Sequence, residues 1–489
     1  MAQAAKRDTH KEAQTDAKTI GFFLDGAWHT EGERFEIRAP SDGSVVGATY
    51  RAGPEHLEAA IRAAVRAFGE TRRMPTYERE RILHHISSGI QDQLEEFSRL
   101  VALEAGKPIR AARQEVERAV FTFRVAAEEA GRIGGEWLQL DRHASAAGRW
   151  GLLRRFPLGP IAAITPFNFP LNLVAHKWAP ALAAGCTLVH KPAPQTPLTS
   201  LKLAALVAEA GWPAGALNVM EISHAHAGPL VSDERLKMLT FTGSGAVGWE
   251  LKQRAGKKRV ALELGGNASV IVHSDADLAY AADRCVAGGF SYAGQSCISV
   301  QRIFVQRSVE EKFLAELLPR VKALHVGDLL DERTDVGPMI SEDAAKRAES
   351  WIEEAVKTGV RLLTGGKRRG AYLDPTVLGE TKPELRVSCE EVFAPVVLVN
   401  PYDEFDQALE RVNDSRFGLQ AGIFTNDVRR IFAAYERLDV GGLVAGDIPS
   451  WRVDHMPYGG VKDSGVGREG LKYAIEEMTE PKLLVMNTR

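Results

Sequence analysis

Apolar residues recur at helical spacing through the first part of the chain, after a short β-prone opening. The segment 54–68 repeats apolar positions three and four residues apart, which predicts an amphipathic helix. The same pattern continues over 77–105, and 109–131 is a third helical segment rich in Arg, Glu and Ala. Residues 1–18 are mixed in charge and weakly apolar, so we expect a frayed tail there.

Beyond residue 159, short apolar runs alternate with helical segments. The first series predicts strands at 161–164, 187–190, 216–222, 237–241 and 260–264, with helices at 167–184 and 198–210. The second predicts strands at 270–272, 302–306, 396–399, 422–425 and 482–486, with helices at 276–288, 309–324 and 405–412. Such alternation indicates βαβ units in an α/β fold with parallel sheets. We place the boundary between the series near 265–266.

Bulk properties narrow the class of protein. A chain of 489 residues exceeds one ordinary core, so two or three domains are expected. The net charge of −3 gives no electrostatic reason to expect nucleic acid or a membrane as partner. No window approaches the roughly 18 apolar residues of a membrane span, and acidic residues in the tail disfavour a transit peptide. We therefore expect a cytoplasmic protein.

The cysteines support that expectation. The chain has four, Cys186, Cys285, Cys297 and Cys389, and none forms a CxxC pair. Their spacing predicts no metal site, and so few thiols in a long chain are typical of a reduced compartment.

A glycine-rich string follows one predicted strand. Gly243 opens a GxGxxG pattern, and Glu263 stands twenty positions later, which would assign Glu263 to a ribose in the dinucleotide-binding fingerprint. However, Gly265 and Gly266 follow Glu263 closely, and paired glycines indicate a close approach by other backbone or side-chain atoms. A strand-terminating turn is the alternative for this segment.

Several further strings carry candidate chemistry. Cys297 ends a small-residue turn before a strand-like run at 298–305, and is either an accessible nucleophile or an inert buried thiol. Asn168 lies between two aromatic residues and two prolines, where its amide could stabilise an oxyanion or only shape a turn. Lys191 ends a strand, where cofactors bind in doubly wound sheets. Glu391 and Phe393 lie in a charged loop before another strand.

Together, in order and spacing, these strings resemble the NAD(P)-dependent aldehyde dehydrogenase superfamily from about residue 22 to the carboxyl terminus. The resemblance implies a Rossmann-like parallel-sheet cofactor domain (19–135 and 156–264) and an α/β catalytic domain (265–445). It also implies a small β oligomerisation extension (136–155 and 475–489) that makes a homodimer or homotetramer. Members acting on lactaldehyde, succinic semialdehyde or glyceraldehyde phosphate, which release a free acid, look most similar.

The resemblance also implies a mechanism. Cys297 would attack the aldehyde carbon to form a thiohemiacetal, with its own N–H and Asn168 holding the oxyanion. Hydride transfer to the nicotinamide would leave a thioester, and Glu263 would act as general base for its hydrolysis. Lys177 and Glu469 match positions that relay protons to the base, with a structural or surface role as the alternative.

Cofactor binding follows from the same comparison. The implied contacts are Thr165, Pro166, Phe167, Lys191, Gly243, Ser244, Glu391 and Phe393. Many NAD-preferring members carry an acidic residue three positions after the ribose lysine, and Pro194 stands there in this chain. Without that like-charge penalty on a 2′-phosphate, we expect NADP to be accepted as well as NAD.

The substrate-facing segment is 449–458. Arg452 and His455 could bind a carboxylate, phosphate, sulfonate or hydroxyl group, although Arg452 could instead pair with Asp454 or a neighbouring subunit. His176 stands where many members place an aromatic residue. A small polar or anionic aldehyde is the expected substrate.

Three rival functions remain open from the sequence. In a CoA-acylating semialdehyde dehydrogenase, CoA would take the acyl group, although such members generally lack a glutamate at position 263. A cysteine hydrolase would need a histidine such as His176 near Cys297. The third rival is a catalytically silent cofactor-binding or structural protein, although Cys297, Glu263 and Asn168 are all present in this chain.

Overall fold

The structure is a computed structural model that describes residues 18–488, so nearly all of the predicted tail lies outside the described residues. The helices are α1 Pro54–Thr71, α2 Thr76–Asp92, α3 Leu94–Ala105, α4 Ile109–Gly131, α5 Asn172–Ala184, α6 Pro197–Glu209, α7 Gly228–Ser232, α8 Gly245–Arg254, α9 Leu278–Phe290, α10 Glu310–Lys322, α11 Glu342–Lys357, α12 Arg386–Cys389, α13 Phe405–Asn413, α14 Val428–Arg437 and α15 Leu471–Glu477.

The strands are β1 Phe22–Leu24, β2 Ala27–His29, β3 Glu33–Arg38, β4 Val45–Ala52, β5 Gly135–Gln139, β6 Arg149–Pro157, β7 Pro160–Ile164, β8 Thr187–Lys191, β9 Leu217–Val219, β10 Glu221–Ile222, β11 Met238–Thr242, β12 Arg259–Glu263, β13 Ser269–Val272, β14 Arg302–Gln306, β15 Arg361–Thr364, β16 Arg368–Arg369, β17 Tyr372–Leu373, β18 Thr376–Gly379, β19 Val396–Tyr402, β20 Phe417–Gly418, β21 Gln420–Phe424, β22 Gly442–Ala445, β23 Val461–Lys462, β24 Gly465–Val466 and β25 Thr479–Asn487.

The larger sheet has the order β2-β1-β9-β8-β7-β11-β12-β24. Its five central strands, from β9 to β12, are parallel, with Ile161 of β7 opposite Leu188 on one side and Met238 on the other. The chain moves outward from β7 through β8 to β9, and later from β11 to β12 on the other side. This reversal creates a switch point between β7 and β11, where doubly wound sheets bind cofactors.

A second sheet has the order β15-β18-β19-β14-β13-β21-β22 and is parallel except for β15. Buried residues such as Ile303 and Phe313 form its core with α9, α10 and α11. Around the first sheet, α2 to α6 bury Phe97, Phe123 and Trp178. The predicted α/β class with parallel sheets is therefore confirmed.

A small antiparallel sheet joins β25 to β6 and β5. Leu484 and Trp137 on its strands are 51% and 60% exposed, so these apolar side chains are not covered by residues 18–488. The predicted β extension corresponds to this sheet in position. The partition of the chain into domains stays a prediction.

Several predicted boundaries were wrong for local reasons. The helix predicted over 77–105 is two helices, broken at Gln93. The helix predicted from residue 167 begins at Asn172, where Glu115 of α4 accepts the N–H groups of Leu171 and Asn172. The strand predicted from residue 298 begins at Arg302. Within residues 18–488, no helix is both long and apolar enough to cross a membrane.

Candidate active site

Four predicted site residues lie at one edge of the larger sheet. Lys191 and Glu263 end β8 and β12, while Thr165 and Gly243 directly follow β7 and β11. Because these strands are parallel, their carboxyl ends meet at the same edge. The structure therefore brings together residues that are up to 98 positions apart in the chain.

The glycine pair after Glu263 allows the second half of the chain to approach this edge. The N–H of Gly266 donates to Glu391 Oε1 at 2.9 Å. A methyl group added at Gly266 would collide with the carbonyl oxygen of Cys297, and one added at Gly265 would lie 2.6 Å from Glu391 Oε2. The close approach indicated by the sequence is therefore made by Cys297 and Glu391.

Cys297 lies in the loop before β14, with its sulfur 3.0 Å from the hydroxyl of Tyr458. Burial raises the pKa of the thiol to about 12, and the hydrogen bond to Tyr458 opposes that rise. Asn168 donates its amide to the carbonyl of Gln295 at 2.9 Å, so it reaches the same loop. The sulfur is thus paired with a phenol rather than with the histidine that a cysteine hydrolase needs.

The backbone of this loop is strained just before the nucleophile. Tyr292 and Ala293 have φ values of 50° and 51°, a left-handed conformation that side chains other than glycine rarely adopt. The Tyr292 hydroxyl donates to the carbonyl of Ala105 at 2.7 Å and anchors the turn. The turn therefore depends on contacts to α3, which is distant in sequence.

Glu263 is buried, and its Oε2 has no hydrogen-bond partner among the described residues. Burial, followed by the negative charge of Glu469, raises the pKa of Glu263 well above its ordinary value. A carboxylate with a raised pKa binds protons more strongly, as a general base working near neutral pH requires. A buried carboxylate with an unpaired oxygen is consistent with a catalytic role, and the assignment of Glu263 as general base stays a prediction.

A buried charged cluster adjoins Glu263. Arg452 donates from Nη2 to Glu469 Oε2 at 2.9 Å, and Lys177 Nζ lies 3.7 Å from Glu469 Oε1. His176 Nε2 lies 2.8 Å from Asp454 Oδ1. The carboxylate that pairs with Arg452 is therefore Glu469, and Arg452 Nη2 also lies 3.3 Å from His176 Nε2. The alternative pairing with Asp454 was wrong, because Asp454 pairs with His176 and Arg118.

Charge interactions within this cluster move pKa values in opposite directions. Burial tends to raise the pKa of Glu469, but the charges of His176, Arg452 and Lys177 outweigh it and lower the pKa to about 2. Burial lowers the pKa of Lys177, while Glu469 and Glu263 oppose that change. Glu469 is thus held ionised beside Glu263, whose proton affinity it increases.

A cavity of about 340 Å³ adjoins the nucleophile and is lined by Ser296 and Ile298, the chain neighbours of Cys297. This volume falls within the range of small-molecule sites, roughly 300–1,000 Å³. Four cationic side chains contribute to its wall: Lys107, Arg118, Arg284 and Arg452.

The two histidines predicted to bind substrate lie elsewhere. Neither belongs to the described lining of this cavity. His176 is buried against Asp454, whereas His455 is exposed and packs edge-on against Phe121 with ring centroids 5.7 Å apart. Their assignment as substrate ligands therefore has no support from the cavity.

The sheet edge also has the features that a dinucleotide needs. Phe167, which follows Pro166, packs edge-to-face on Phe393 at 6.1 Å between ring centroids. Thr165 Oγ1 lies 2.9 Å from His190 Nε2, and the buried hydroxyl of Thr242 has no partner among the described residues. Unpaired polar groups at the carboxyl ends of the strands fit the binding of a polar cofactor.

The glycine-rich turn supports α8 as well as the proposed cofactor site. Ser244 is the residue before α8, and an added methyl group at Gly243 would lie 2.5 Å from the Phe241 ring. At Gly248 it would collide with Leu264. Two of the pattern's three glycines therefore lie against side chains of this same sheet edge, so the GxGxxG pattern also has a packing explanation and is a weak signal alone.

Four residues of the site were not found from the sequence: Tyr458, Lys107, Arg118 and Arg284. Arg118 and Arg284 lie on α4 and α9 and look like any arginine on an amphipathic helix. Tyr458 stood inside the segment predicted to border the substrate, which was the only available signal. Within residues 18–488, no group of three His, Cys, Asp or Glu residues is placed to hold a metal ion.

Comparison with known proteins gives a single family. A profile described as "Aldehyde dehydrogenase family" matches residues 28–484. The 3-sulfolactaldehyde dehydrogenase of Priestia aryabhattai is 44% identical over 97% of this chain and 99% of its own. Aldehyde dehydrogenase 21 from Physcomitrella patens, solved with the reaction product succinate, has a TM-score of 0.95 at 43% identity, covering 96% of this chain and 99% of its own.

A second solved structure carries a cofactor. Glyceraldehyde-3-phosphate dehydrogenase GapN from Methanocaldococcus jannaschii, complexed with NADP, has a TM-score of 0.90 at 38% identity, covering 94% of this chain and 100% of its own. Matches of this extent agree with the thiol, carboxylate and sheet-edge geometry. The chain belongs to the aldehyde dehydrogenase family and oxidises an aldehyde to a carboxylic acid with NAD or NADP.

Proposed function

We propose that the substrate is a small aldehyde with an anionic group, and that Cys297 and Glu263 convert it to the free acid. The observation that carries this proposal is the cationic cavity beside Cys297. Among its lining residues Glu115 is the acidic side chain, and it pairs with Lys107. The carboxylates that pair with the three arginines do not belong to the lining. The cavity wall therefore favours an anion.

Arg118 and Arg284 are the best candidates to bind that anion. Their side chains are 31% and 28% exposed, whereas those of Lys107 and Arg452 are nearly buried. Each uses Nε and Nη2 on a carboxylate, Asp454 for Arg118 and Asp447 for Arg284. This leaves Nη1 for a ligand, and the held guanidinium loses little freedom on binding.

The similar proteins support an anionic substrate. The Priestia relative is named for a sulfonated aldehyde, the Physcomitrella structure holds succinate, and GapN is named for a phosphorylated aldehyde. These three molecules are small and end in different anions. Each carries an anionic group, which arginine side chains bind through charge-assisted hydrogen bonds.

The chain's residues divide the reaction as follows. The sulfur of Cys297 adds to the carbonyl carbon, and the Asn168 amide with the N–H of Cys297 holds the resulting oxyanion. Lys191, Glu391 and the turn at Gly243 would hold NAD(P), which would accept the hydride and so leave a thioester on Cys297. Glu263 then takes a proton from the water that attacks the thioester, which releases the acid and the thiol. Lys177 and Glu469 pass that proton onward.

Single substitutions at the two arginines test the substrate class. We expect Arg118→Met and Arg284→Met to lower kcat/KM for anionic aldehydes by about tenfold or more, since a charge-assisted hydrogen bond contributes about 1.5–3 kcal/mol. Propionaldehyde, which is neutral, should be oxidised within threefold of the wild-type rate. Arg113→Met is the matched control, because Arg113 lies on the same helix but pairs with Glu95 and Glu332.

Arg452 has a different expected behaviour in the same aldehyde panel. Because its guanidinium is engaged with Glu469 and lies 3.7 Å from the centre of the Tyr458 ring, we expect it to position these groups. Arg452→Met should then slow the oxidation of neutral and anionic aldehydes equally. If Arg452→Met lowered kcat/KM only for anionic aldehydes, Arg452 would again be assigned as a substrate ligand. If Arg118→Met and Arg284→Met lowered kcat/KM equally for neutral and anionic aldehydes, the anionic-substrate proposal would be contradicted.

We also propose that the small sheet is an oligomerisation surface in a homodimer or homotetramer. The exposed apolar row on β25, Leu483 to Met486, supports this, as do the exposed Trp137 and the family resemblance. Leu484→Asp should shift the sedimenting species to a smaller mass, while Val356→Asp on α11, also exposed, should not. The four free cysteines are consistent with a cytoplasmic enzyme.

A further inference from the structure

Glu221 lies between two cations at the edge of the cofactor sheet. Its Oε2 accepts a hydrogen bond from Arg51 Nε at 2.8 Å, and its Oε1 lies 3.9 Å from Lys191 Nζ. Glu221 and Lys191 are each only 4% exposed. The two carboxylate oxygens therefore have different neighbours, one fixed by Arg51 and the other facing Lys191.

The sheet topology places this carboxylate at the cofactor edge. β9 lies beside β8 in parallel, so residues just past its end lie at the same edge as Lys191. Glu221 begins the next short strand, β10, and pairs in register with Arg51 of β4. In dinucleotide-binding sheets a carboxylate at this edge accepts from the 2′-hydroxyl of NAD, whereas a nearby arginine accommodates the 2′-phosphate of NADP.

We propose that Glu221 is the residue that distinguishes NAD from NADP in this enzyme. The 3.9 Å separation from Lys191 is too long for a direct hydrogen bond and leaves the facing oxygen free to accept one. A ribose hydroxyl is both donor and acceptor, so it bridges the two groups by donating to Glu221 and accepting from Lys191. A phosphate monoester is mostly the dianion near neutral pH, because its second pKa is about 6, so it is a poor donor and is repelled by the carboxylate.

The neighbouring cations limit that repulsion. Lys191 and Arg51 both carry positive charge beside Glu221, and either attracts a 2′-phosphate. NADP should therefore still bind, but more weakly than NAD. Glu221 thus supplies, from a different strand, a carboxylate that the sequence lacks at Pro194, and it moves the expected preference towards NAD.

Binding to the purified enzyme tests the assignment without reliance on turnover or on the aldehyde. Calorimetry would give the ratio of the Kd for NADP to the Kd for NAD. We expect this ratio to be above one for the wild type and to fall at least fivefold in Glu221→Gln. A smaller change, or equal weakening of both cofactors, would overturn the proposal, because a purely structural glutamate does not discriminate between them.

Glu33→Gln is the matched control. Glu33 also pairs with Arg51, through Nη1 at 2.6 Å, but its side chain is 68% exposed. We expect its ratio to stay within twofold of the wild type. If Glu33→Gln lowers the ratio as much as Glu221→Gln, the effect is one of general charge and the assignment to Glu221 is wrong.

A second measurement uses the unmodified enzyme, in case Glu221→Gln does not fold. AMP and 2′-deoxy-AMP differ only in the hydroxyl that the pair is proposed to bind. We expect 2′-deoxy-AMP to bind at least fivefold more weakly than AMP. Equal affinities would show that the 2′-hydroxyl has no partner here and would overturn the proposal.

Discussion

The hydroxyl of Tyr458 lies 3.0 Å from the sulfur of Cys297, and the guanidinium of Arg452 lies 3.7 Å from the centre of the same tyrosine ring. Arg452 in turn donates to Glu469, which adjoins Lys177. The nucleophile is thereby connected through Tyr458 to the charged cluster beside Glu263. Burial raises the pKa of Tyr458, and Arg452 opposes that rise. The phenol therefore stays protonated and able to donate to a thiolate.

Removal of the phenol hydroxyl should make the thiol harder to ionise. In Tyr458→Phe the thiolate loses a hydrogen bond, and its pKa should rise by about one unit or more, since a hydrogen bond to a charged group contributes about 1.5–3 kcal/mol and one pKa unit corresponds to about 1.4 kcal/mol. The rate of iodoacetamide inactivation against pH measures this pKa directly, and its midpoint should move to higher pH.

Alkylation must be restricted to Cys297 for that measurement. Cys186 and Cys285 are buried, and burial raises the pKa of the Cys186 thiol to about 11. Cys389 is partly exposed, so Cys389→Ser is the appropriate background for both enzymes. An unchanged inactivation midpoint in Tyr458→Phe would mean that the tyrosine does not stabilise the thiolate.

Replacement of the base should separate the two halves of the reaction. Glu263→Gln keeps the side-chain shape but loses the proton acceptor, so thioester hydrolysis should slow by about 10²–10⁴-fold. Stopped-flow absorbance should then show a rapid burst of reduced cofactor, up to one equivalent per site, followed by slow turnover. Hydrolysis at the wild-type rate would contradict the role of Glu263.

The same assay decides between hydrolysis and acyl transfer to CoA. For the wild type we expect steady turnover without CoA and release of the free acid. A burst that continues only after CoA is added would identify the enzyme as CoA-acylating.

The two carboxylates beside each other predict a pH effect of defined sign. The charge of Glu469 raises the pKa of Glu263, whereas that of Arg452 lowers it. Glu469→Gln removes the first influence and frees Arg452 from its partner, so both changes lower the pKa of Glu263. A base with a lower pKa stays deprotonated at lower pH, and the acid limb of the deacylation rate should shift to lower pH.

Lys177→Met provides the opposite test, because the charge of Lys177 lowers the pKa of Glu263. Its acid limb should move to higher pH. The rate of single-turnover deacylation, measured between pH 5 and pH 9, gives the acid limb of each of the two variants. Shifts of equal sign in the two variants would contradict the charge coupling.

The short motifs in the sequence, taken together, were sufficient to predict the reaction class, because their residues stand in distinctive turns or at strand ends. Asn168, Lys191 and Glu263 are of this kind. Arg118 and Glu221 could not be predicted, because their roles depend on contacts with residues far away in the chain. Glu221 meets Arg51 across 170 positions, and Arg118 meets Asp454 across 336. Periodicity within a helix or strand contains no information about such pairs.

Fold boundaries follow the same distinction. The helix bounds of α4 were predicted as observed, because its amphipathic pattern is continuous. The start of α5 was wrong, because the carboxylate that binds its first N–H groups belongs to Glu115 on another helix. Tertiary contacts of this kind override local pattern.

Gly266 should tolerate no side chain, because an added methyl group would collide with the carbonyl oxygen of Cys297. In Gly266→Ala the nucleophile loop or the Gly266 backbone must shift, and the hydrogen bond from Gly266 to Glu391 is disturbed as well. A displacement of about 1 Å at a reacting group costs about 10²-fold in rate. We therefore expect kcat to fall about 100-fold for every aldehyde tested.

Gly69→Ala is the matched control, since Gly69 lies in α1 with open space at its Cβ position. This variant should unfold with a free energy about 0.5–1 kcal/mol higher than that of the wild type. Normal activity in Gly266→Ala would show that the Cys297 loop relaxes without cost, and would remove the argument that this glycine sets the position of the nucleophile.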